Sequence, residues 1–248
     1  MLGSLVVVHI VAGAVGLISG GAAFLARKGG QAHRWAGRVF VPSMLVMATL
    51  GAAIAAFQPD RVSVIAGLVT VYLVGTSWLT VKRRAGAFGP WDIGALSLAV
   101  GIALAGTLFG IEGLRSPDGL IDGLPPQPAF VFAGLAGLGG MLDLTLVARK
   151  GVRGGHRLAR HLWRMGLALV IAAASFFLGQ QDVFPDALRG VGWAIPVLAL
   201  LILTLVWVAL ALAGWPKNKR VTAAGPERRI NHSLRTGGTI EIRESPRD

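Results

Sequence analysis

Residues 62–81 read VSVIAGLVTVYLVGTSWLTV, a run without a single charge, and Lys82-Arg83-Arg84 follow it at once. About 20 predominantly apolar residues in helical conformation cross the hydrocarbon core of a bilayer. A basic cluster at one end marks the cytoplasmic side of such a helix. The stretch therefore predicts a transmembrane helix. Similar runs occur at 5–26, 39–57, 93–111, 129–148, 162–180 and 192–213. The fold class that follows is all-α, an integral membrane helical bundle of about seven transmembrane helices.

Composition agrees with this. The chain is 54% hydrophobic and 15% charged, with a mean hydropathy of +0.65, too apolar for a water-soluble domain of its length, so the lipid bilayer is its solvent. A net charge of +12 in a soluble domain would point to nucleic acid, but here the basic residues are dispersed between apolar runs, which excludes that partner. Cysteine is absent, so disulfides, iron–sulfur clusters, thiolate-bound metals and cysteine nucleophiles are excluded. Any metal or haem site must draw on His, Met or carboxylates. The 35 glycines predict close helix packing.

Of the 24 basic residues, all but Arg61, Arg115 and Arg189 lie in the turns after the first, third and fifth spans or beyond the seventh. By the positive-inside rule these turns face the cytoplasm, which places the N-terminus outside a bacterial inner membrane and the C-terminus inside. The opposite loops carry Asp60, Asp118, Asp122, Asp182 and Asp186. No basic residue precedes the first run and Arg27-Lys28 follow it, opposite to a secretory leader, so it is expected to be retained as a helix. Residues 1–214 form the predicted bundle, and 215–248 a basic tail expected to be disordered in the cytoplasm.

Ala26-Arg27-Lys28-Gly29 with His33-Arg34-Trp35-Ala36 resembles Ala148-Arg149-Lys150-Gly151 with His156-Arg157-Leu158-Ala159. Four spans separate the copies, so the two units share an orientation and suggest a parallel pseudo-repeat. Beside this, His9, Lys28-Gly29, His33-Arg34, Gly37-Arg38, the string Arg160-His161-Leu162-Trp163-Arg164-Met165 and Ser175-Phe176-Phe177-Leu178-Gly179-Gln180 resemble recurrent motifs of the bacterial multi-pass membrane proteins of the DUF 2306 type. The resemblance spans most of the membrane part and implies a multi-pass architecture; it implies no reaction.

Three histidines, His33, His156 and His161, lie near the starts of the second and sixth spans on the inner side. Two histidines at matching depth on different helices are what a six-coordinate haem b requires, with arginines available for the propionates. His33 with His161 is the favoured pair, with Arg34, Arg160 and Arg164 beside them. A quinone is the alternative cofactor for this cluster. The bland reading is that histidines next to arginines at headgroup depth cap helices or bond lipid phosphates. Deeper in the spans, His9, Asp143 and Gln180 are polar. A charge at Asp143 needs an Arg or His from a neighbouring helix, with Arg164, His161 and His33 the expected partners. Gln180 and Gln181 are expected to partner His9.

Read as titratable stations, His9 and Asp143 suit a small proton-coupled transporter; read as glue, they suit a structural or assembly protein, alone or with other copies or membrane subunits. Gly16 and Gly20, continued by Ala12 and Ala23, mark a helix contact face, and Pro42 and Pro196 are placed to kink their helices. The chain has no phosphate-binding Gly loop, nucleophile elbow or His-Glu-x-x-His motif, so the sequence assigns no enzyme class.

Overall fold

In the bilayer every backbone N–H and C=O must be satisfied within its own segment, which makes the helix the only open-chain solution for these runs. The computed structural model describes residues 2–214, so the expected tail lies outside the described residues. Seven long helices follow in order: α1 (Leu2–Leu25), α2 (Gln31–Ala56), α3 (Arg61–Lys82), α4 (Pro90–Arg115), α5 (Gln127–Ala148), α6 (Gly154–Phe177) and α7 (Ala194–Leu212). Three single 3-10 turns lie between α6 and α7, and no strand occurs among the described residues. The bundle is all-α, as the apolar runs predicted.

Six stretches, α1 to α5 and Val191–Leu212, are long and apolar enough to cross a membrane. The exception, α6, is long enough but carries Arg157, Arg160 and Arg164 in its first half. Those residues read as an inner turn in the sequence, and α6 begins at Gly154 rather than at 162. The reason is that Arg160 and Arg164 are buried and turned into the bundle. Hydropathy treats every side chain as facing lipid, and these do not. The second helix likewise starts early, at Gln31, which places His33 inside it.

Local signals set the helix ends. The Asp60 carboxylate accepts a hydrogen bond from the Ser63 N–H at 2.9 Å and caps α3. Asp92 reaches back to the Gly89 N–H at 2.9 Å in the first turn of α4. Pro42 lies inside α2, which continues through it, and Pro196 falls in the first turn of α7, where its missing N–H removes no bond.

The packing has a simple plan. Helix α1 packs on α2 and α6, and α3 packs on α2 and α6, so α1, α2, α3 and α6 form a four-helix ring with α2 and α6 on opposite corners. Helices α4 and α5 pair with each other and lean on α3, while α7 lies along α6. The ring is close-packed where small residues face large ones. A Cβ on Gly16 would come within 3.0 Å of Met44 Sδ, and one on Gly20 within 2.7 Å of Leu169 Cδ1 and Phe40 Cε2. The small-residue face of α1 is thus a contact within the bundle. The two hairpins of the sequence repeat differ in setting: α1 and α2 pack along their length, whereas α5 leans on α3 and α4.

At the acidic end Arg61 ties the start of α3 to the α4–α5 connection. Its guanidinium donates to Asp122 at 2.9 Å and to Glu112 at 2.8 Å, and its backbone N–H donates to Asp122 as well. The Arg61 hydrogen bonds hold the Asp122 carboxyl below its ordinary pKa.

Candidate functional site

The α6 residues 157, 160, 161 and 164 follow the i, i+3, i+4, i+7 spacing of one helix face. They meet Thr80, Ser77, Thr76 and Tyr72 of α3, which runs the opposite way, and the contacts form rungs. Arg157 donates to the carbonyls of Val81 and Arg83 at the α3 C-terminus, at 3.2 and 2.9 Å. These are carbonyls that a helix end leaves unpaired, and a cation there also meets the negative end of the helix dipole. Arg160 Nε donates to Thr80 Oγ1 at 2.9 Å. His161 Nδ1 lies 2.9 Å from Ser77 Oγ. Arg164 donates to Thr76 Oγ1.

The inner rungs converge on Asp143 of α5. Arg160 and Arg164 both donate to its Oδ1, the latter at 2.6 Å, and the Tyr72 hydroxyl donates to Oδ2 at 2.6 Å. Asp143 is 1% exposed and Arg164 fully buried, and the Arg164 guanidinium also stacks 4.9 Å from the centre of the Tyr72 ring. Arg164 Nε is the one buried side-chain nitrogen or oxygen without a partner among the described residues. One carboxylate thus faces two guanidinium groups, and the cluster carries a net charge of +1 in the interior of the bundle.

At the basic end, the His33 and His161 ring centres lie 6.4 Å apart with planes at 85°. His33 Nδ1 lies 2.9 Å from the Ala23 carbonyl, which can only accept, so the neutral ring carries its proton on Nδ1. The Ser77 hydroxyl lies 2.9 Å from His161 Nδ1 and 3.0 Å from the His161 carbonyl, so it bonds the ring and the backbone of the same residue. Neither Nε2 has a hydrogen-bond partner among the described residues.

The sequence placed His33, His161, Arg34, Arg160 and Arg164 in one cluster. The structure brings the two histidines together but commits Arg160 and Arg164 to Asp143, while Arg34 donates to the Gly29 carbonyl at 2.8 Å on the surface. His156 is exposed. His9 pairs with the Met47 carbonyl at 2.8 Å; Gln180 is exposed, and Gln181 bonds Phe177 and Gly190. Of the three expected partners of Asp143 the structure pairs it with Arg164 and with neither His161 nor His33, and adds Arg160 and Tyr72. Sequence reasoning passed over Tyr72, Thr76, Ser77 and Thr80. Their signal was the i, i+4, i+8 spacing of hydroxyls at 72, 76 and 80 in an otherwise apolar helix.

A cleft of about 420 Å³ opens at the acidic end among Leu108, Ile111, Glu112, Arg115 and Ser116, away from these side chains. No group of three or more His, Asp or Glu side chains converges on a metal-sized site among the described residues. What converges is a pair of histidines whose Nε2 atoms have no hydrogen-bond partner among the described residues, His161 lying on the same helix as the arginines of the polar seam. No protein-family model matches this chain, and no curated protein or solved structure matches it.

Proposed function

We propose that this membrane protein is a cofactor protein that holds one haem b between His33 and His161 and handles electrons at the basic, cytoplasmic side of the inner membrane. The observation that carries the reading is the histidine pair, whose Nδ1 atoms are bonded to protein oxygens and whose Nε2 atoms have no hydrogen-bond partner among the described residues. Metal-ligating histidines are ordinarily held this way, the outer hydrogen bond fixing ring and tautomer. The two ring centres lie 6.4 Å apart, and His33 and His161 would be the residues to hold the group.

The surroundings support the same reading. The two histidines come from α2 and α6, the opposite corners of the four-helix ring, and bundle cores are a common site for cofactors held by facing helices. One turn below His33, Gly37 leaves open space where a side chain would stand. Arg34 and Arg38 flank His33 at the rim and would be the cations for the propionates, in place of Arg160 and Arg164. The haem would supply one-electron chemistry; the chain binds it, orients it and sets its electrostatic surroundings. The resemblance to the DUF 2306 type is consistent with this reading and adds no reaction.

A second reading is favoured by the Asp143 cluster, which has the form of an interhelical lock in a protein of structural or assembly role. A reduced-minus-oxidised visible spectrum of the purified full-length protein, expressed with haem precursor, separates the two. The haem reading predicts a sharp reduced α band, lost in His33→Ala and in His161→Ala and retained in His156→Ala. A featureless spectrum from folded protein, or a band that survives both of the first two substitutions, overturns it.

A further inference from the structure

We propose that the pocket where the basic ends of α3, α4, α5 and α6 meet is a binding site for a phosphate group, borne by an anionic lipid or free in solution. The pocket measures about 20 Å³, and Arg83, Arg84 and Arg157 line it together with Thr80 and Asp92. Neither His33 nor His161 lines it, so the site is separate from the histidine pair.

Two glycine turns build it. The turn after α3 and the turn after α5 are clasped by the Gly86 N–H, which donates to the Val152 carbonyl at 3.0 Å. Gly86 and Gly151 have φ of 79° and 122°, and a Cβ on Gly151 would stand 2.5 Å from the Gly86 carbonyl oxygen. This close approach brings Arg83 and Arg84 of one turn beside Arg157 of α6. It also lays Arg153 over Gly86, where a Cβ would meet Arg153 Nη2 at 2.9 Å.

Four guanidinium groups thus gather around one carboxylate, Asp92. Arg83 is fixed by its bond to Asp92 at 2.7 Å and Arg157 by the carbonyls of Val81 and Arg83, and each has N–H groups beyond these bonds. Arg84 and Arg153 are exposed, and neither guanidinium has a hydrogen-bond partner among the described residues. Thr80 extends the imbalance inward: it accepts from Arg160 at 2.9 Å, and the Asp143 cluster has one more guanidinium than carboxylate. An anion supplies the missing charge. Guanidinium groups bind phosphate oxygens in pairs, and several around one pocket suit a phosphate better than a lone carboxylate. A pocket of this size holds one or two water-sized groups, so a phosphate seats one or two oxygens in it and keeps its ester side outward. The helices α3, α4 and α5 are long and apolar enough to span a membrane, which puts their shared basic end at headgroup level. Phe88 and Trp91, both exposed, stand beside the pocket residues in the chain, as aromatic side chains do at a membrane surface.

The test is thermal unfolding of the full-length protein in neutral detergent at constant ionic strength, titrated with phosphatidylglycerol, phosphatidylcholine or inorganic phosphate. A saturable rise in Tm with phosphatidylglycerol alone identifies a lipid site, and a rise with inorganic phosphate identifies a site open to the free ion. Arg84→Gln and Arg153→Gln should each weaken binding about fivefold, and roughly 25-fold together. Both variants keep every hydrogen bond described for the fold. Arg27→Gln removes the same charge from the α1–α2 turn, outside the pocket, and should leave binding within about twofold of the unsubstituted protein. A Tm unmoved by either phosphate source, or raised equally by phosphatidylcholine, overturns the site. A loss in Arg27→Gln equal to that in Arg153→Gln also overturns it, because general attraction to a basic surface would give that result.

Discussion

Replacing Asp143 with Asn tests whether the buried cluster holds the bundle together. The substitution keeps the size of the side chain and removes its charge. Asp143 accepts from two guanidinium groups and one phenol, with α3 and α6 on the donor side and α5 on the acceptor side. Without the charge, Arg164 and Arg160 remain buried and face each other with no counter-ion. Removing one partner of a buried ion pair costs about 3–5 kcal/mol, chiefly through the charge left behind. Tyr72→Phe in the same cluster loses one hydrogen bond to a charged acceptor, about 1.5–3 kcal/mol, and leaves no charge unpaired. The expected order is therefore Asp143→Asn well above Tyr72→Phe, with the double variant costing less than the two together because they share one bond. Equilibrium unfolding in mixed detergent micelles, followed by circular dichroism, measures all three. An Asn variant within about 1 kcal/mol of the unsubstituted protein would refute the reasoning, since interhelical polar contacts in membranes can be worth only about 0.6 kcal/mol when the unfolded helices find other partners.

Three further outcomes follow from separate parts of the fold. Gly67→Ala would set a Cβ 2.7 Å from the Ala48 carbonyl oxygen and 2.8 Å from Ala52 Cβ, forcing α2 and α3 apart at a cost of about 1–3 kcal/mol. Gly75→Ala on the same helix meets open space and should be neutral or gain up to about 1 kcal/mol, a contrast that a thermal melt reads directly. His9→Ala should cost about 1 kcal/mol through the lost bond to the Met47 carbonyl while leaving any haem band unchanged; a lost band would bring His9 into the site. At the acidic end, the Asp122 pKa is lowered chiefly by its hydrogen bond with Arg61. A carboxylate depressed in the folded state contributes stability above its unfolded value, near about 3.9, and loses it as pH falls through the folded value. The unsubstituted protein should therefore lose stability below about pH 4 more steeply than Asp122→Asn, and parallel curves would count against the Arg61 clamp.

Much of this architecture was legible because the bilayer imposes a length and a polarity on each run. The seven helices were readable from residue type and run length. Arg164 was one of three candidate partners named for Asp143, and His33 with His161 a candidate pair, but whether any of them meet was not readable from the sequence. Nor were the boundaries of α2 and α6. Arg160 and Arg164 were counted as inner-side charges, yet they point into the ring, and a linear hydropathy reading has no term for direction. The same blindness assigned these arginines to cofactor propionates, because their partner Asp143 lies on another helix and only the packing of α5 on α3 brings it within reach. The α3 hydroxyls went unread for a related cause. Thr and Ser are inexpensive in a membrane helix because each can bond its own preceding turn, as Thr76 does with the Tyr72 carbonyl at 2.6 Å and Thr80 with the Thr76 carbonyl at 2.8 Å. Their presence in an apolar run signals nothing until a donor stands opposite.

The position of α3 explains why both polar features occur in one half of the molecule. It packs on α2, α4, α5 and α6, so any side chain on it can meet partners from either side. From Arg61 to about Val69 it offers apolar residues to the ring, with Ile65 and Val69 buried. From Tyr72 onward it offers a phenol to Asp143 of α5 and three hydroxyls to the arginines and histidine of α6. An α6 turned by half a helical turn would expose Arg160 and Arg164 to lipid, at a cost of about 2.5–3.5 kcal/mol for each near the membrane centre. The arginines therefore fix the rotation of α6 about its axis. With that rotation fixed, His161 has a definite direction one residue beyond Arg160, toward His33. The polar seam on α6 thus helps to set the direction in which His161 meets His33.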